Sequence, residues 1–377
     1  MSAPLTSKLG ESWAESLERL EPLSGPEWLN DLRGRAARSF RSAGLPHRKV
    51  EAWKYTPIRV LEDLAPDLSQ PVPAATQAAF PEPLTGTAPR IDVFGGVPGE
   101  LPSGLPEGLS VLSLKDGIER FGSRIESIVS ATDIEGPSRA MSALNTALLS
   151  QGLVIHAAAD TKAGPLLLRW AFAETEIPMM GQFRVIVLLD EGAELDLIEQ
   201  FATAGKAAGA LNLVLQADLG PRSSLGHVRV QAESDAAVLF TSASVVQAGQ
   251  SRYRYRGFDL GGRLVRHEWD VRLSGEDASA DLSGAFMLDG RQHVDNHVSV
   301  SHESANCSSE QFFRGVLGGR SRGVFNGRAL ICPGADGSSV RQSNANLLLS
   351  PLAEMDTKPE LEIYADEVEA SHGATVG

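Results

Sequence analysis

Only two cysteines occur in 377 residues, aromatic residues make up 6% of the chain, and no long apolar run is present. Cys307 and Cys332 can pair only with each other, and one bridge adds little to a chain long enough to bury its own core. A disulfide scaffold is therefore excluded and reduced thiols are expected. The longest apolar stretches, 185–189 and 347–349, are far shorter than the roughly 20 residues of a membrane-spanning helix. The first residues carry no apolar h-region, which sets the expectation of a cytoplasmic protein with no membrane partner. Cationic side chains are also outnumbered: 34 Lys and Arg stand against 48 Asp and Glu, a formal net charge of −14. A general nucleic-acid binder is excluded on that ground, because the phosphate backbone is held mainly by Lys and Arg. No G-x-x-x-x-G-K-[ST] sequence, strand-to-helix G-x-S-x-G elbow or strand-borne G-x-G-x-x-G occurs. The chain thus has no phosphate loop of its own and no signature of a serine hydrolase or a dinucleotide enzyme.

What is present is ordinary globular material, 42% hydrophobic and 22% charged, with 37 glycines that predict many tight turns. Trp13, Leu17 and Leu20 fall at helical spacing, and Trp28, Leu29, Leu32, Ala36 and Phe40 continue it, which predicts a helical region over 1–65. Ser24 and Glu27 read as a capping box, and Gly44-Leu45-Pro46 as a helix stop. Nine of the 21 prolines lie between Pro66 and Pro106, so 66–150 reads as a Pro-rich connection. One strand at 91–94 and one helix carrying Met141, Leu144 and Leu148 are expected within it.

From 151 to 377 the character changes to strand after strand with period-2 alternation, at 152–156, 166–170, 183–189, 211–215, 227–230 and 238–242. Short turns holding a small residue recur near Ala193, Ser223, Ser251, Ala278, Ala305 and Gly337, at intervals of 27 to 32 residues. A Gly- and Ser-rich repeat of that length without helices implies a mainly β fold in which each coil of a stacked solenoid buries its face on the next. A β-sandwich with regular loops is the alternative.

Several residues can carry chemistry. On a strand, His293, Asp295 and His297 share one face and could present two imidazoles and a carboxylate to a metal, with His302 and Cys307 close behind. A solvated polar strand face gives the same letters. Cys332 lies in the apolar run 329–332 and reads as a small core hydrophobe, whereas Cys307 in a polar turn could offer a thiolate. Arg314, Arg320, Arg322, Arg328 and Arg341, interleaved with glycines, could hold a phosphate or simply pair with the many carboxylates. Near the end, Leu361, Ile363 and Ala365 alternate with polar residues and lead to a turn bearing His372, which reads as an exposed imidazole, either a metal ligand or a solvated turn residue.

At these residues the chain resembles a known family. Arg341-Gln-Ser-Asn-Ala-Asn-Leu-Leu-Leu-Ser350, Thr357-Lys-Pro-Glu-Leu-Glu-Ile-Tyr-Ala-Asp366 and Ser371-His-Gly-Ala-Thr-Val-Gly377 resemble the C-terminal signature of the SufD side of the SufB/SufD family, the scaffold of SUF iron–sulfur cluster assembly. Arg48-Lys-Val-Glu-Ala-Trp-Lys-Tyr-Thr-Pro57 resembles its N-terminal motif. Phe312-Phe-Arg-Gly-Val316 and Arg322-Gly-Val-Phe-Asn-Gly327 resemble its core strands.

The resemblance implies a right-handed parallel β-helix and a non-catalytic subunit that pairs with a SufB-like paralogue and works with a SufC-like ATPase, with a homodimer as the other option. It implies that His372 touches transient iron or a nascent cluster at the partner interface. Where some members carry a cysteine two residues before this histidine, Ala370 stands here, so thiolates are expected from SufB. The family continues past the position of Gly377 into helices that dock SufC, so the docking segment is expected to be absent from this chain. Two readings from other classes remain: a β-helix carbohydrate-active enzyme, and a β protein that binds iron alone through His293, His297 and His302.

Overall fold

The computed structural model describes residues 7–20, 23–68, 80, 82–172, 178–202 and 208–377. The chain runs α1 (Lys8–Arg19), α2 (Glu27–Ala43), α3 (Arg59–Leu64), β1 (Arg90–Phe94), β2 (Val97–Pro98), β3 (Leu109–Ser113), α4 (Leu114–Ser130) and α5 (Ala140–Ala147) before a repeating part begins. There follow β4 (Gly152–Ala157), β5 (Lys162–Ala171), β6 (Met180–Leu189), β7 (Glu194–Phe201), β8 (Gly209–Leu219), β9 (Ser224–Gln231), β10 (Ala237–Gln247) and β11 (Arg252–Asp259). The last eight are β12 (Leu264–Leu273), β13 (Ser279–Leu288), β14 (His293–His302), β15 (Ser308–Leu317), β16 (Arg322–Ile331), β17 (Ser339–Leu348), β18 (Glu354–Ile363) and β19 (Glu369–Val376).

Even-numbered strands from β4 to β18 stack in one sheet and odd-numbered strands from β5 to β19 in the other, each pairing in parallel with the strand two places on. That every-second-strand parallel order is a β-solenoid of about seven turns, as the repeat predicted, and it rules out a sandwich. Each coil crosses from one sheet to the other, so inward side chains from both sheets share one core. In β12, Val265, His267, Trp269, Val271 and Leu273 point inward and are buried, while Asp270 and Arg272 point out.

The coil turns explain the spacing of the small residues. A residue of positive φ precedes a buried small one at Gly192-Ala193, Arg222-Ser223, Gln250-Ser251, Asp277-Ala278, Asn306-Cys307 and Gly337-Ser338. Successive turns bond to each other, Gly192 N–H to Pro221 O at 2.9 Å and Arg222 N–H to Gly249 O at 3.0 Å, so the parallel ladder continues through them. The residue in this slot is Cys307, two places after the expected Ala305.

The N-terminal region packs on the outer face of the even sheet. Trp13, Leu32, Phe40 and Trp53 form one buried cluster with Ile186, Leu188, Val238 and Phe240. Each such side chain contributes about 1.5–3 kcal/mol when fully buried. α2 begins after Pro26, with no side-chain cap, so the Ser24/Glu27 capping box does not form. The Ser24 carbonyl instead accepts from Arg33 Nη1 at 3.0 Å. Gly44 does end the helix, at φ 68°, donating its N–H to Phe40 O.

α4 was not expected in the Pro-rich segment. Ile118, Phe121, Ile125 and Val129 repeat at helical spacing along it, and the Ser113 hydroxyl caps the N–H of Asp116 at 3.1 Å. No helix among the described residues is long and apolar enough to cross a membrane. The outer face of the odd sheet carries exposed Phe258, Met287, Phe312 and Leu347, with the Arg314 guanidinium 3.6 Å from the Phe312 ring centroid.

Candidate functional site

The strand β14 separates the candidate donors by parity. His293, Asp295 and His297 share one face as predicted, and it is the outer one, whereas His302 lies on the inner face. The N-terminal motif closes over the outer group: Thr56 Oγ1 is 3.1 Å from His293 Nε2 and donates to Asp295, which also accepts from Arg266 Nη1. Arg266 in turn bonds Glu268 at 2.6 Å, lies 3.1 Å from His297 Nε2, and stacks 4.0 Å from the Trp53 ring centroid. Burial alone would raise the Asp295 carboxyl, but Arg266 and then His297 hold it below the usual carboxylate range. Burial pushes His293 down to about 4, so its ring is neutral. This is a buried ionic clamp between the motif 48–57 and the even sheet.

His302 and Cys307 belong to the interior. His302 Nε2 lies 2.8 Å from Ser309 Oγ, and burial lowers its pKa to about 4. Cys307 is 1% exposed and burial raises its thiol. Among the described residues no group of three or more His, Cys, Asp or Glu side chains converges as a metal site. The three histidines of the stand-alone iron reading are divided between two faces of one strand.

The structure also reveals an interior ionic network that the sequence reading missed. Glu199 Oε2 accepts from Arg229 Nη2 at 2.6 Å and meets His227 Nε2 at 2.7 Å. Arg229 continues to Thr241, which lies 2.6 Å from His267, itself 2.9 Å from Asp259. Glu199 is completely buried, which would raise its pKa, yet Arg229 first and then His227 hold it down at about 2. The signal was available: Glu199 sits at the inward parity of a strand whose other inward residues are Leu195, Leu197 and Phe201.

The five arginines do not converge. Arg314 and Arg341 lie on the odd sheet and Arg322 and Arg328 on the even one, where they pair with Asp356 and Glu362. Residues 319–323 spell G-x-S-x-G, but Ser321 is buried in a strand-to-strand turn and its hydroxyl donates to Gly318 O at 2.7 Å. It has no part in a hydrolase elbow.

His372 is placed differently from every other candidate. It is exposed on β19, the outermost strand of the odd sheet, and pairs with Gln342 of β17, which pairs with Gln311 of β15. Gln342 is an inward residue, 4% exposed, so His372 falls on the inward-facing row at the end of the stack. That row leads from the core to a solvent-facing imidazole.

A parallel solenoid with a helical region on one sheet defines a class of β-helical core proteins. Residues 172–377 match the family described as "SUF system FeS cluster assembly, SufBD core domain". SufD of Escherichia coli is 31% identical, over 89% of this chain and 77% of its own length. An iron–sulfur cluster assembly SufBD family protein of Synechocystis is 26% identical over 96% and 83%, and a chloroplastic protein of Arabidopsis thaliana is 28% identical over 100% and 80%. The chain belongs to the SufBD family, and it is SufD-like.

Proposed function

We propose that this chain is a non-catalytic scaffold subunit of SUF iron–sulfur cluster assembly in the cytoplasm, pairing with a SufB-like paralogue and working with a SufC-like ATPase. Its cargo is transient iron or a nascent cluster, and His372 is the donor this chain contributes. The observation that carries the reading is the SufBD core match over 172–377, which includes the outermost strand where His372 is exposed.

The donor inventory supports it. An imidazole nitrogen is a competent iron ligand beside thiolates, as Rieske-type centres show. This chain has two cysteines, of which Cys307 is buried in a coil turn, so four thiolates must come largely from elsewhere. Exposed Phe258, Met287, Phe312 and Leu347 on the odd sheet support contact with another protein. The test is His372→Ala in cells that depend on this pathway alone. Iron–sulfur enzyme activities are expected to collapse while the protein level holds, and unchanged activities would end the reading.

A further inference from the structure

We propose that the outer face of the odd sheet, over β11, β13, β15 and β17, docks an acidic amphipathic helix from another protein of the assembly. This rests on the reading of the chain as a scaffold subunit and not on the role of His372. Charge and apolar area on that face point to the same occupant.

The face runs against the character of the chain. A protein of net charge −14 places five arginines on the outward positions of these four strands, Arg252, Arg254, Arg256, Arg314 and Arg341, against two carboxylates, Asp281 and Glu310. Asp281 pairs with Arg256, which leaves Glu310 alone against the other four. The C-terminal ends of the same strands are apolar. Met287, Val316 and Leu347 fall in one row along the solenoid axis, and Leu260, the residue after β11, continues it. Leu260, Met287 and Leu347 are 44%, 62% and 51% exposed. Phe258 and Arg314 share the next row, and Phe312 lies in the one beyond. Large apolar side chains gathered on one face and rimmed by charge mark a contact with another molecule.

Arg314 sits at the seam between the two halves. Its guanidinium stacks on Phe312, donates from Nη1 to Phe313 O at 2.8 Å and Ser343 O at 3.1 Å, and from Nη2 to Ser343 Oγ at 2.9 Å. Its Nε–H has no partner among the described residues, and burial lowers its pKa. A guanidinium fixed in place without a carboxylate is a preformed receptor for one, because the charge-assisted hydrogen bond then needs little further ordering.

The sheet decides the form of the occupant. Each of the four strands is bonded to a neighbour on both edges, so no further strand can add there. A helix can lie across them, as helices already do on the even sheet. From β11 to β17 the span is about 14 Å at about 4.8 Å per strand, the length of roughly ten helical residues. A helix about 10–12 Å across that sets its apolar stripe on the Met287 row brings carboxylates on its flank to Arg314 and toward Arg254 and Arg341. An anionic membrane would repel the rest of a chain of net charge −14, which favours a protein partner.

The test places a photoreactive side chain in the apolar row, Met287→p-benzoylphenylalanine, in the full chain in cells, and sequences the cross-linked peptide by mass spectrometry. The expected product joins this chain to a peptide of another protein with apolar residues at i, i+3, i+4 and i+7 and carboxylates on one flank. Its yield is expected to fall about ten-fold with Arg314→Glu, and likewise with Arg254→Glu plus Arg341→Glu, two exposed positions whose change leaves the fold intact by circular dichroism. Cross-links to phospholipid, to a second copy of this chain or to a basic segment, the absence of any product, or a yield that neither charge reversal lowers overturns the proposal. Failure of the scaffold reading is separate. It appears as intact iron–sulfur enzyme activities in His372→Ala cells, whatever the cross-link shows.

Discussion

Asp295 is fully buried among Thr56, Arg266 and His297, and its environment decides how this residue behaves. Removing Arg266 alone leaves a buried carboxylate without its main partner, so Arg266→Met should cost about 3–5 kcal/mol in urea unfolding. The double substitution with Asp295→Leu should recover most of that loss, and the cycle reads the coupling. Histidine sets the pH response. His293 and His302 have folded-state pKa values pushed down to about 4 by burial. An unfolded chain binds protons at about 6.5, so stability is full above that pH and falls as pH drops toward 4, by on the order of 2–3 kcal/mol per histidine. Asp295 and Glu199 act lower, because depressed carboxyls lose their contribution only below the ordinary carboxylate range. Unfolding midpoints between pH 8 and pH 2 check the order. His293-x-Asp-x-His297 was legible as one strand face, but its use as a clamp was not, since Thr56 and Arg266 are remote in sequence.

At the scale of elements, the turns and α4 carry the testable content. Gln250 adopts φ 60°, a left-handed conformation that costs a non-glycine residue about 1–2 kcal/mol. Gln250→Gly relieves that strain against a smaller entropy loss, so a gain of roughly 0.5 kcal/mol in unfolding free energy is expected. α4 meets the even sheet at Gly117, where a Cβ would come within 2.3 Å of Val154 Cγ2. Gly117→Leu should therefore lift the helix and lower stability by several kcal/mol, measured as lost protection of α4 amides in hydrogen exchange. The strands were legible because each coil alternates with period 2. The Ser24/Glu27 capping box read from the sequence does not form, because Pro26 already presets the backbone entering α2 and no side-chain cap is made.

For the whole molecule, the two sheets have different outer faces. The even sheet is roofed by α1, α2, α4 and α5 together with the motif 48–57, whereas the odd sheet shows apolar side chains to solvent. Met287→Glu with Leu347→Glu should leave the folded chain intact by circular dichroism and reduce co-purification with a SufB-like partner. Retained co-purification would place the partner contact elsewhere.

The sequence by itself determined the solenoid, because period-2 burial and a 27–32-residue turn spacing are local properties that any coil must satisfy. It also determined that this chain cannot hold a four-thiolate cluster alone. Only the tertiary structure decided which polar residues face which way and what meets them. His302 left the company of His297 because one strand parity sends them to opposite faces. Glu199 and Arg229 found each other across 30 residues, because the coil stack sets side by side what the chain keeps apart.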